Sequence, residues 1–200
     1  MRIDLSHTTD EAHLVKCCKN NEPAAQHILY NKYVDDMMVL CLRYILQPED
    51  AKEVLMDGFL SFFRNMAGFQ YLGEGSVKAW LKKIIINQCL MFLRKSKPVL
   101  VQLEDGDRYD DKETDDDILG HLTGKEILLL LQQLPDGYRT IFNLYVFEDM
   151  GHKEIAALLN ITESTSKSQL HRAKAMMKDK ITIVYGTRMQ GQENRKKLIK

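Results

Sequence analysis

No apolar run in this sequence is long enough to cross a bilayer. Runs such as residues 127–131 fall far short of the roughly 18–20 residues a membrane helix needs. The opening segment, MRIDLSHTTD, carries acids where a secretion signal needs an apolar core. The expectation is a cytoplasmic protein with no membrane insertion. Cysteine is scarce. Cys17, Cys18, Cys41 and Cys89 show no CxxC spacing and no histidine at ligand distance along a helix, so no metal site is expected. Cys41 and Cys89 sit in apolar, helix-like surroundings and read as packing thiols. The phosphate loop GxxxxGK[ST], the paired-histidine metal helix and the nucleophile elbow are all missing. His13, His27, His121 and His152 are scattered without sequence partners. Neither an enzyme nor a cofactor is indicated.

Net charge is also missing, but only in the sum. Residues 1–97 carry 13 Lys/Arg against 11 Asp/Glu, and residues 120–200 carry 13 against 8. Residues 98–119 between them carry 2 against 9 and include the block DDKETDDD. Like charges repel and do not pack, so this stretch reads as a flexible acidic linker. The two bodies it joins are mildly basic, which suits contact with a polyanion.

What is present is helical periodicity. From Ala24 to Leu46, Ile28, Leu29, Tyr33, Met37, Leu40, Cys41 and Tyr44 recur at the spacing of one buried helix face. Pro48 breaks that helix, and Asp50 opens a second through Phe63, with Val54, Leu55, Phe59, Phe62 and Phe63 as its apolar set. A glycine-rich loop follows from Gly68. Ser76 is placed to cap a third helix to about Arg94, with Trp80, Leu81, Ile84, Ile85, Cys89, Leu90 and Leu93 inward.

The second body begins near His121 with a helix through Leu134. Pro135 suits the first turn of the next helix, which runs to about Phe147 and uses Ile141, Leu144, Tyr145 and Phe147. Two helices then fit either side of a tight turn. The first is 152–159, where Glu154 can reach back to Gly151. Asn160 tolerates a left-handed turn, and Thr162 is a good N-cap for the second helix. After Asp179 the chain turns polar and basic and is expected to fray. The fold class expected is all-α: two helical domains at 1–97 and 120–180, the linker at 98–119, and a tail at 181–200.

The helix-turn-helix is the strongest local signal. Its second helix turns Leu170, Ala173 and Met177 inward and offers Ser164, Lys167, Ser168, His171, Arg172 and Lys174 on the other side. Lysine and arginine supply phosphate and guanine contacts, and serine and histidine supply short hydrogen bonds.

Three stretches together resemble the extracytoplasmic-function (ECF) sigma factors of RNA polymerase, over about residues 24–178. LPDGYRTIFNLYVFEDMGHKEIAALLNITESTSKSQLHRAKAMM is similar to the C-terminal sigma domain that reads the −35 promoter element. Lys167, Ser168, His171 and Arg172 match its DNA-facing positions. PEDAKEVLMDGFLSFFRN resembles the helix that docks on core polymerase, and GEGSVKAWLKKIIINQCLMFLRKSK resembles the helix that opens and reads the −10 element. Trp80, Leu81, Ile84, Asn87 and Arg94 fall where that pattern wants them. Four positions depart from the pattern: Met56 stands for a usual Gln, Gly58 for an aliphatic residue, Asn160 for Gly, and Ser166 for an aliphatic residue.

The resemblance implies a docking surface of Glu53, Met56, Asp57 and Phe59. Holding a melted strand calls for aromatics, polar pocket residues and a basic groove. Phe69, Tyr71, Lys78, Lys82, Lys83 and Asn87 supply that set, with Phe69 equally readable as a core anchor. The implied partners are core RNA polymerase, double-stranded promoter DNA, the melted −10 strand and an anti-sigma factor. The linker is implied to lie along the path of the RNA. The alternative reading is a stand-alone helix-turn-helix regulator that binds operator DNA without polymerase.

Overall fold

The structure, a computed structural model, describes residues 10–96 and 122–198, without the side chains of residue 96 and of 184–198. The acidic linker expected at 98–119 lies outside the described residues. The chain divides into two compact units, Met1–Pro98 and Val99–Lys200. Among the described residues both consist of helices and turns, so the all-α expectation holds.

The first unit opens with a helix that periodicity did not suggest. It is α1, Glu11–Lys19, and the Asp10 side chain caps it by accepting from the Ala12 N–H at 3.0 Å. Asn21, in the left-handed region at φ 58°, turns the chain into α2, Pro23–Tyr44. Both α2 and α3, Pro48–Arg64, carry proline in the first turn, where its missing N–H costs nothing. Pro48 therefore starts a helix rather than separating two, since α2 has already ended at Tyr44. A short 3-10 turn, Met66–Gly68, leads into the loop, and Gly73 and Gly75 take positive φ values of 109° and 83°. The helix α4, Ser76–Ser96, then packs on α2 and α3. Ser76 does not cap it. It is the first helical residue, and its hydroxyl turns back to the loop, donating to the Gly73 carbonyl at 2.6 Å and accepting from the Leu72 N–H.

The core of this unit is built from Leu29, Tyr44, Leu55, Phe62, Leu81, Ile85 and Cys89, all buried. Ile28, Phe63, Trp80 and Ile84, expected inward, are half-buried, while Ile86 is buried though outside the expected set. Gly58 explains one departure from the family pattern. A Cβ there would stand 2.2 Å from Cδ1 of Ile85. Glycine lets α3 come close enough to α4 for Ile85 to fill the space an aliphatic residue would otherwise take. All four cysteines are buried, as packing thiols should be.

The second unit begins with α5, Gly124–Leu131. Thr123 and Glu126 form a complete capping box: Thr123 Oγ1 accepts from the Glu126 N–H, and Glu126 Oε2 accepts from the Thr123 N–H at 2.9 Å. The helix stops at Leu131, short of the expected Leu134. Pro135 serves as the N-cap of α6, Asp136–Phe142, rather than its first turn. The turn is bolted by Arg139, which is buried and donates to the Leu134 carbonyl at 2.7 Å and to Asp136 Oδ1 at 2.6 Å. Beyond Phe142 the helix widens into a π turn, Asn143–Phe147, instead of continuing as α. It is followed by α7, His152–Leu159, and α8, Glu163–Leu198. α8 continues past Asp179 to Leu198, and Ile181 is still buried.

Candidate nucleic-acid and polymerase interfaces

The pair α7 and α8 forms the helix-turn-helix that the sequence suggests. Glu154 Oε2 accepts from the Gly151 N–H at 2.9 Å, which is the half of a capping box that a glycine permits. Asn160 adopts φ 56° and ψ 49°, and closes α7. Thr162 Oγ1 accepts from the Thr165 N–H at 3.0 Å and caps α8.

From that start, α8 buries Ser166, Gln169, Leu170, Ala173 and Met177. Ser164 and Lys167 are exposed, and Ser168, His171 and Arg172 are half-exposed. The five expected −35 residues therefore lie on the side of α8 away from the core. Lys167 Nζ sits 3.4 Å from Glu163 with both side chains half in solvent, a pairing weak enough to yield to a phosphate. Ser168 Oγ donates to the Thr165 carbonyl at 3.1 Å, which ties it to its own helix.

One feature of this unit escaped sequence reading. Ser166, which departs from the family pattern, is fully buried, and its Oγ lies 3.0 Å from His152 Nδ1 at the start of α7. The His152 ring stacks on Tyr145 at 4.8 Å, and Lys174 lies 5.5 Å over the same tyrosine. A polar bridge thus replaces an apolar contact in setting α7 against α8. The signal was available: a serine on an inward position needs a partner.

In the first unit the six expected −10 residues separate. Lys82 and Tyr71 are half-buried, and Lys78, Lys83 and Asn87 are exposed along α4. Lys78 Nζ meets Asp36 at 2.6 Å in an exposed pair. Of the two readings of Phe69, its packing favours the core anchor. Phe69 is 8% exposed and stacks face to face on Trp80 at 4.6 Å and 14°, and Trp80 leans on Phe62 at 4.9 Å. Burying a ring of that size outweighs presenting it to solvent. Phe69 anchors the loop in this fold.

The docking set separates in the same way. Glu53, Met56 and Asp57 are exposed on α3, Met56 at 48%. Phe59 lies on the core side of α3. It is 2% exposed, with ring centroids 4.8 Å from Tyr30 and 6.2 Å from Phe63, and belongs to the core. Leu60, at 55% exposure, is a second apolar residue that α3 exposes, one turn beyond Met56. The spacing from Met56, off the Val54–Phe62 stripe, was the clue to it.

One expectation about histidine also changes. His13 and Cys17 are one turn apart on α1, with Nε2 and Sγ 3.5 Å apart. Two groups do not make a metal site, and among the described residues no cluster of three potential ligands occurs. Nor is any helix among them long and apolar enough to cross a membrane.

Comparison with known proteins places both units. Residues 29–98 match the family described as Sigma-70 region 2, and residues 124–177 match Sigma-70, region 4. The ECF RNA polymerase sigma-E factor of Haemophilus influenzae is 24% identical over 184 residues, covering 86% of this chain and 95% of that protein. The RNA polymerase sigma factor SigV of Bacillus subtilis is 26% identical over 147 residues, covering 74% and 85%. Among solved structures, CnrH, in complex with the cytosolic domain of CnrY, is 17% identical, with a TM-score of 0.47 over 85% of this chain and 96% of that one.

Proposed function

The chain belongs to the ECF sigma factors of RNA polymerase, and from that membership we propose how its residues divide the work of directing promoter-specific initiation. As a sigma factor it binds core polymerase and reads the −35 and −10 elements of a promoter. In the proposal, Glu53, Met56, Asp57 and Leu60 on α3 form the docking face for core polymerase. Ser164, Lys167, Ser168, His171 and Arg172 on α8 enter the major groove at −35. Tyr71 in the loop and Lys78, Lys82, Lys83 and Asn87 on α4 track the melted −10 strand. The acidic stretch at 98–119 runs along the path of the RNA. An anti-sigma partner that covers these faces, and a cytoplasmic setting, complete the reading.

The observation that carries this is the opposition of two surfaces within the two matched segments. α3 exposes acids beside methionine and leucine, while α8 exposes lysine, arginine and hydroxyls from a capped helix N-terminus. A protein that only bound operators would use the second surface and leave the first without purpose.

The charge reversal Glu53→Lys with Asp57→Lys tests the docking face. Both residues are exposed, so the helical signal and melting of the protein should not change. Retention on core polymerase should fall by at least about tenfold, the scale of losing a few charged rim contacts. Undiminished co-purification with core would place the docking face elsewhere.

A further inference from the structure

α1 lies outside both matched segments, yet it buries a carboxylate within the first unit. Glu11, in its first turn, is only 6% exposed. Its Oε1 accepts from Lys32 Nζ at 2.8 Å and from the Tyr33 hydroxyl, both on α2. Its Oε2 is buried and makes no hydrogen bond to the described protein atoms. Burial of a carboxylate costs free energy unless it is well paired, so a site built this way has a use for it.

The neighbourhood suggests the use. α1 also packs on the Met66–Gly68 turn, which leads directly into the loop. The loop's Tyr71 phenol lies in the field of the same cluster. Its pKa is raised by desolvation first, then by Glu11, Asp10 and Glu74, with Lys32 opposing. Tyr33 is raised by burial, by its hydrogen bond to Glu11, and further by Tyr71 and Glu74. Glu11, Lys32 and Tyr33 therefore form one hydrogen-bonded group between α1 and α2, and α1 carries it against the turn that leads into the loop of Tyr71. At the loop's far end, Ser76 fixes Gly73 and Leu72.

We propose that Glu11 is a positioning residue for −10 recognition: it clamps α1 to α2 through Lys32 and Tyr33, and so holds Tyr71 and the loop in the conformation that receives the melted strand. This deepens the proposed function and rests on the reading that the loop contacts that strand.

The test is transcription by holoenzyme reconstituted with the full chain, on templates varied at −10 or at −35. For each variant the ratio of output from parent and substituted −10 elements is measured, with the −35 ratio as internal control. Glu11→Ala should compress the −10 ratio by about fivefold, the worth of one buried hydrogen bond, and leave the −35 ratio alone. Tyr33→Phe, which keeps the ring packing, should act in the same direction. Glu11→Gln keeps an acceptor for Tyr33 and Lys32 and should restore most of the preference. Leu14→Ala loosens α1 from its apolar side and should lower the melting temperature without touching the ratio. If Tyr71→Ala compresses the −10 ratio while Glu11→Ala and Tyr33→Phe do not, the positioning role is wrong. Equal compression by Leu14→Ala would reduce Glu11 to a structural residue. No effect of Tyr71→Ala would remove the loop reading itself.

Discussion

The helices α3 and α8 each carry an exposed face, proposed to be functional, and a core face, but they divide their residues by different rules. On α8 the division is by polarity along the groove side: all five residues expected at the groove stand clear of the core. On α3 and the loop that follows, two of the three aromatic candidates, Phe59 and Phe69, turn inward, and Tyr71 stays half-buried. A small helical domain needs its rings for its own core before it can offer them to a partner. In this chain polar and charged residues dominate the proposed contact surfaces, while the phenylalanine rings serve the scaffold. Exposed apolar contact is left to the unbranched or flexible side chains of Met56 and Leu60.

The sharpest way to break this contrast is to truncate a ring. Phe59→Ala should destabilise the first unit by about 3–5 kcal/mol, seen as loss of its melting transition. If the variant instead melts normally and fails only to retain core polymerase, Phe59 is a docking residue after all. Next in size is the close approach of α3 to α4. Gly58→Leu should cost about 1–3 kcal/mol by overpacking against Ile85. Its combination with Ile85→Ala should cost less than the sum of the two changes, since the second removes the clash. Strict additivity in denaturant melts would show that the contact is not tight.

A smaller effect separates the units by pH. Burial, then the Glu11 hydrogen bond, raises the Tyr33 pKa above its ordinary value of 10.0. The fold thus favours the neutral phenol. Its contribution is complete below the unfolded pKa and is lost as pH climbs from there toward the raised folded value. The first unit should therefore weaken from about pH 10 upward, and Tyr33→Phe should flatten that decline. The same slope in the variant would assign the alkaline loss to other groups.

Most of the fold could be read from periodicity, because the long amphipathic helices announce themselves at 3.6-residue spacing. α1 was missed because nine residues with adjacent cysteines and a buried glutamate carry little periodic signal. The π turn at 143–147 was missed because nothing local distinguishes it from continued α-helix. Thr123 and Glu126 were readable as a capping box and would have placed the start of α5. Within the sites, the turn at Asn160 and the cap at Thr162 followed from residue chemistry alone. The His152–Ser166 bridge did not, because it joins positions fourteen apart through packing that only the folded domain creates.

The central claim, that α8 reads the −35 element through one face, is tested most directly by comparing two alanine variants of the holoenzyme across a panel of −35 substitutions and salt concentrations. Arg172 can hold a guanine by two hydrogen bonds, so Arg172→Ala should cost about 1–3 kcal/mol and relax preference at a single promoter position. Lys167 is exposed on the same face, and its proposed role is to hold a phosphate. Lys167→Ala should weaken every promoter alike and lower the salt slope by about one unit. If neither variant changes promoter preference or salt dependence, α8 meets the DNA through another face, and the account of this interface is wrong.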